Sequence, residues 1–134
     1  MPYAIAYIVS AVTFAVLDFG WLSFATNRFY KPIIGDLLAP KVAMAPAIAF
    51  YLIYIGGIVF LAIAPALKAG SASRAAVSAA VLGFVAYATY DLTNQATLRT
   101  WSIKLTLADM AWGTFATTVA ALAGFWAARA LFRN

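Results

Sequence analysis

The 134-residue chain is 66% hydrophobic and 10% charged, whereas a soluble domain carries roughly 25% charged residues, so an ordinary globular fold is excluded. Nine Lys or Arg against four acidic residues give a net charge of +5. These charges are scattered singly and form no stripe that could track a phosphate backbone, so no nucleic-acid partner is expected. Cysteine, histidine and glutamate are absent, which removes disulfides, thiolate or imidazole metal sites, histidine-ligated haem and every Cys/His or Ser/His catalytic arrangement. Neither a cofactor nor a metal is expected.

Crossing a hydrocarbon core about 30 Å thick takes about 20 apolar residues, and four such runs follow one another: Tyr3–Ala25, Met44–Leu67, Ala75–Asn94 and Leu105–Ala128. Lipid cannot satisfy free backbone groups, and no run alternates with a period of two, so the runs read as helices rather than barrel strands. The expected fold class is all-α, one integral membrane four-helix bundle over residues 1–134, in a bacterial inner membrane. The first run contains Asp18, and Met1-Pro2 before it supplies no positive charge. It is therefore read as a span and not as a cleaved secretory signal, despite the small-residue stretch Ser23-Phe24-Ala25. In the second run Pro46 falls in the first turn, where a missing N–H does no harm, and Pro65 falls in the last, which it is expected to help end.

Between the first two runs, Phe29, Tyr30, Ile33, Ile34, Leu37 and Leu38 recur at helical spacing, with Pro32 early and Arg28, Lys31, Asp36 and Lys41 interspersed. This pattern predicts a short interfacial helix, serving as a connector or as a lid. Four spans bring both termini to one face, side A, together with Lys68, Arg74, Arg129 and Arg133. The opposite face, side B, holds Arg28, Lys31, Lys41, Arg99 and Lys104. The positive charge is too evenly divided for an orientation to be read from it.

Asp18 lies in the last third of the first span, Asp91 near the end of the third and Asp109 just inside the fourth. All three carboxylates therefore fall in the side-B half of the membrane, roughly one to two turns from its surface at about 1.5 Å per residue. Asp109 shares a helix face with Gly113, Ala116, Ala120 and Gly124, small residues that let helices approach, and is predicted to point inward. Asp91 stacks in the same way over Tyr87, Gly83, Ala80 and Ala76, and Tyr7, Ala11, Phe14, Asp18 and Trp21 form the matching line on the first span.

An acidic residue at a helix centre costs about 2.5–3.5 kcal/mol on insertion scales and less near an interface, which still argues for function where three lie within the spans. The structural alternative is capping, bonding to neighbouring hydroxyls, or pairing with Arg99 or Lys104. That alternative is strongest at Asp91-Leu92-Thr93-Asn94, close to a helix end. Asp18-x-x-Trp21 and Asp109-x-x-Trp112 share a spacing that sets an indole N–H beside a carboxylate on the same helix face. The candidate binding residues are thus Asp18, Trp21, Tyr87, Asp91, Asn94, Asp109 and Trp112, with Arg28, Arg99 and Lys104 as supporting charges. Trp101 and Trp126 fall near span ends as expected of interfacial anchors. Tyr51, Tyr54, Tyr87 and Tyr90 suit core filling or the lining of a cavity.

Tyr87-Ala88-Thr89-Tyr90-Asp91-Leu92-Thr93-Asn94-Gln95-Ala96-Thr97-Leu98, then Trp101 and Asp109-x-x-Trp112-Gly113-Thr114, resemble a bacterial family of small predicted membrane proteins known as domain of unknown function 2177. Asp18-x-x-Trp21-Leu22, Arg28-Phe29-Tyr30 and the stretch from Tyr54 through Phe60 to Pro65-Ala66-Leu67 match its other blocks. The resemblance implies four helices and a polar cluster made by those motifs. Members encoded beside lipid-modifying or redox enzymes imply a membrane-lipid context, which is analogy and not chemistry.

Three functions suit this reading. In the first, a small binding or transport protein, carboxylates crowded in a low dielectric repel one another and suit a proton, a cation or a small polar or amphipathic solute. Transport through four short helices would call for a homo-oligomer. The second is an intramembrane enzyme acting on a lipid or other apolar substrate, one aspartate serving as acid or base and Arg28, Arg99 or Lys104 holding a headgroup. No nucleophile motif or glycine-rich phosphate loop supports it. The third is an accessory subunit whose small-residue stripes serve assembly in a membrane complex.

Overall fold

The computed structural model describes residues 1–132. Its long helices are α1 (Pro2–Leu37), α2 (Met44–Ala69), α3 (Ala72–Thr97) and α4 (Ile103–Leu131), each long and apolar enough to cross a membrane. The described residues contain no strand. The helices outrun the apolar runs because their ends are capped. The Ser71 hydroxyl accepts from the Arg74 N–H at 3.1 Å and opens α3, and Ser102 does the same for Leu105 at the start of α4. Since α3 continues to Thr97, Asp91 sits inside the helix and caps nothing.

Gly70 ends α2 in the left-handed conformation, φ 65°. The Ser71 N–H then returns to the Ala66 carbonyl at 3.0 Å, closing a turn of only two residues between α2 and α3.

Two helices change register part-way. In α1 the α-helix of Pro2–Ala25 widens to a π turn over Thr26–Tyr30, resumes over Lys31–Ile34 and tightens over Gly35–Leu37. In α2 a π turn spans Val59–Ile63. Each π turn is followed by one residue and then a proline, Pro32 or Pro65. Proline offers no N–H to the carbonyl a turn earlier, and the wider turn lets the helix continue past that gap. Two expectations change accordingly. The segment expected as a separate interfacial helix is the continuation of α1, and Pro65 does not end α2, which runs on to Ala69.

Helix α4 is the axis on which α1 and α3 pack. Its face of Asp109, Gly113, Ala116, Ala120 and Gly124 is buried as predicted. A Cβ on Gly83 would come within 2.7 Å of the Gly113 carbonyl oxygen, and one on Gly113 would strike the Tyr87 ring. Small residues thus set the helix spacing. On α3 the deepest small residues are Ala75 and Ala79, one position from the predicted Ala76 and Ala80. On α1, Ala6 and Ser10 lie deeper than Tyr7 and Ala11. Phe14, Ile55, Ile58, Ile63 and Phe125 complete the core. The outer surface is apolar, with Phe19 and Phe60 each 76% exposed, a face suited to lipid. Several hydroxyls within the spans are satisfied locally: Thr13, Ser23, Thr89, Thr114 and Thr118 each donate to a carbonyl one turn earlier.

Candidate functional site

The register of α1 against α4 is antiparallel and set by small residues. Ala6 lies against Gly124, and the Ser10 hydroxyl donates to the Ala120 carbonyl at 2.9 Å. Carried toward side B, this register brings residue 18 to residue 112 and residue 21 to residue 109. The Trp112 indole accordingly donates to Asp18 Oδ1 at 3.4 Å. The Trp21 indole donates to the Tyr30 hydroxyl at 3.2 Å, and that hydroxyl donates to Asp109 Oδ1 at 2.6 Å. Between the two acids the indoles stack, centroids 5.1 Å apart and planes 7° from parallel.

The two D-x-x-W motifs are therefore exchanged, which corrects the expectation that each indole serves the acid of its own helix. The tryptophan lies one turn beyond its aspartate, and in an antiparallel pair that is the level of the other helix's aspartate.

A second register joins α3 to α4. Gly83 lies against Thr117 and the Tyr87 ring against Gly113, so residue 91 arrives at residue 109, and the Asp91 carboxyl comes within hydrogen-bonding reach of the Asp109 carboxyl. Asp91 is 0% exposed and Asp109 only 4%. Neither oxygen of Asp91 meets a hydrogen-bond donor among the described residues. Asp18, by contrast, is half-buried, and its second oxygen accepts from the Tyr51 hydroxyl of α2.

Tyr30 reaches the site because of the π turn. At about 100° per residue, nine residues of uninterrupted α-helix would set Tyr30 on the face opposite Trp21. A π turn absorbs about one extra residue and rotates everything after it by about 100°, which swings the phenol back toward α4. The wider turn before Pro32 is thus what supplies Asp109 with its donor.

Of the other candidates, Tyr87 packs on Gly113 and meets Tyr54 edge-on at 6.4 Å, and Tyr54 in turn bonds the Thr117 hydroxyl at 2.7 Å. Asn94 is half-buried near the end of α3, where its backbone carbonyl accepts from the Leu98 N–H. The supporting charges lie outside the cluster. Arg28 sits 4.8 Å over the Phe24 ring, Lys104 sits 5.7 Å over Phe29, and Arg99 is exposed. Among the described residues, phenols and indoles, not lysine or arginine, meet the Asp18 and Asp109 carboxylates. Trp101 donates to the Thr106 hydroxyl at 2.9 Å, which donates to Gln95 Oε1 at 2.7 Å, tying the α3–α4 loop to both helices. Trp126 faces outward, 55% exposed.

The three aspartates do not converge on one point. Among the described residues no three acidic side chains stand close enough to share a metal ion. They divide into a station of Asp18, Tyr51 and Trp112 and a station of Asp91, Asp109, Tyr30 and Trp21, with the stacked indoles between them. Tyr30 and Tyr51 are the residues that sequence reasoning left out of the site. Tyr51 carries no signal beyond its place on an apolar helix, and Tyr30 is betrayed only by the proline that follows it.

The family described as predicted membrane protein, DUF2177, matches residues 3–126. The chain belongs to that family. The match takes in both stations and both D-x-x-W motifs. No curated protein and no solved structure matches the chain.

Proposed function

We propose that this integral membrane protein binds a proton at the Asp91–Asp109 pair and works by exchanging it, either as a proton-binding site alone or in binding or moving a small polar or amphipathic solute across a bacterial inner membrane. The observation that carries the reading is the orphaned Asp91 carboxyl, wholly buried and without a donor, beside the Asp109 carboxyl. Two adjacent carboxylates in a low dielectric cannot both stay ionised, because each loses its hydration and repels the other. One proton held between them turns an uncompensated pair into a hydrogen bond. Tyr30, from the side-B end of α1, donates to Oδ1 of Asp109. Asp18 with Tyr51 forms a second acidic group, separated from the first by indoles whose N–H groups donate but cannot accept, so no proton passes through them.

Infrared spectra of the protein in lipid bilayers test this. The expected result at neutral pH is a protonated-carboxyl stretch, lost in Asp91→Asn and in Asp109→Asn and kept in Asp18→Asn. A wild-type spectrum without that band overturns the proton pair. Proton uptake into liposomes that carry the protein and an entrapped pH dye tests movement: wild-type rates equal to those of Asp91→Asn exclude proton transport and leave binding.

A further inference from the structure

We propose that the side-A end of the bundle, far from the aspartates, holds a binding site for a phosphate group, that of an anionic phospholipid or of a soluble phosphate. A cleft of about 510 Å³ opens there between the start of α1, the end of α2 and the end of α4, within the size range of small-ligand sites. Pro2, Leu67 and Phe132 give it apolar walls, and among the described residues the charged side chains that line it are Lys68 and Arg129. The four acidic residues of the chain, Asp18, Asp36, Asp91 and Asp109, all belong to the side-B half. No carboxylate side chain therefore competes for these cations.

Arg129 is held in place before any ligand arrives. Its Nη1 donates to the Gly70 carbonyl at 3.0 Å, and its guanidinium lies 5.7 Å over the Phe125 ring. The left-handed Gly70, φ 65°, is what brings that carbonyl to it. Only one of the five N–H donors of a guanidinium is used in this bond, and the planar fork suits a phosphate. Lys68 is exposed at the rim and adds a second charge. Cations in the last turns of α2 and α4 also offset the negative helix ends, but that role needs no cleft between them.

The test uses the whole protein in nanodiscs of phosphatidylcholine doped with phosphatidylglycerol, with native mass spectrometry reading bound lipid and isothermal titration of inorganic phosphate into detergent-solubilised protein. The expected result is selective retention of phosphatidylglycerol, weakened at least about tenfold, or about 1.4 kcal/mol, in the Lys68→Gln, Arg129→Gln double variant. Arg74→Gln removes a side-A charge outside the cleft and serves as the control, and unchanged circular dichroism excludes misfolding. Retention that excess inorganic phosphate leaves intact assigns the site to lipid. Displacement of the lipid, with direct phosphate binding, assigns it to a soluble phosphate. Binding of neither, or equal losses in Arg74→Gln and the cleft variant, overturns the proposal. The aspartates take no part, so this test and the infrared test fail independently.

Discussion

Asp18 and Asp91 lie in the same half of the bundle and are treated in opposite ways by the helices around them. Asp18 is half-buried with both oxygens met, one by the Tyr51 hydroxyl and the other by the Trp112 indole. Asp91 is completely enclosed with neither oxygen met by a donor. A carboxyl supplied with donors has its buried oxygens satisfied and strengthens helix contacts. A carboxyl sealed away without them costs stability unless something neutral or cationic joins it, and the packing of α3 on α4 supplies only another acid.

The largest break in that comparison comes from opening the α3–α4 contact. Gly113→Val drives a branched side chain into the Tyr87 ring and is expected to destabilise the bundle by about 3 kcal/mol, read by detergent unfolding followed by circular dichroism. Stability within about 0.5 kcal/mol of wild type would show that the close approach does not hold Asp91 against Asp109. Next comes a pair with opposite signs. Asp18→Asn places an amide among groups that donate and is expected to lose about 2 kcal/mol. Asp91→Asn gives Asp109 a donor and is expected to leave stability unchanged or raise it, in the same unfolding assay. Equal losses at both positions would erase the distinction between the two acids. The smallest effect sharpens the geometry: Trp21→Phe keeps a ring against Trp112 but removes the N–H to Tyr30, an expected loss of about 0.6 kcal/mol.

Much of this arrangement can be read from the residues alone. The four helices follow from run length, and the inward face of α4 follows from Asp109, Gly113, Ala116, Ala120 and Gly124 at helical spacing. The crossing of the D-x-x-W motifs does not, since the contact of Ser10 with Ala120 that sets residue 18 level with residue 112 appears only in the structure. Motif spacing reports on one helix at a time, whereas register belongs to two. Tyr30 was further out of reach. Its direction depends on a local widening of the helix before Pro32, and the regular periodicity used to read helical faces assumes that no such step occurs. The outward placement of Arg28 and Lys104 has a simpler cause: aromatic rings at the helix ends offered them a contact closer to water than the buried acids could.

The two-residue turn at Gly70-Ser71 also bears on how the protein is made. Helix α3 carries Asp91 and enters hydrocarbon less readily than the more apolar α2, which contains no acidic residue. With so little chain between them, neither helix can be threaded while the other stays behind. They would cross as a hairpin during biogenesis, the apolar arm drawing in the one that bears the acid.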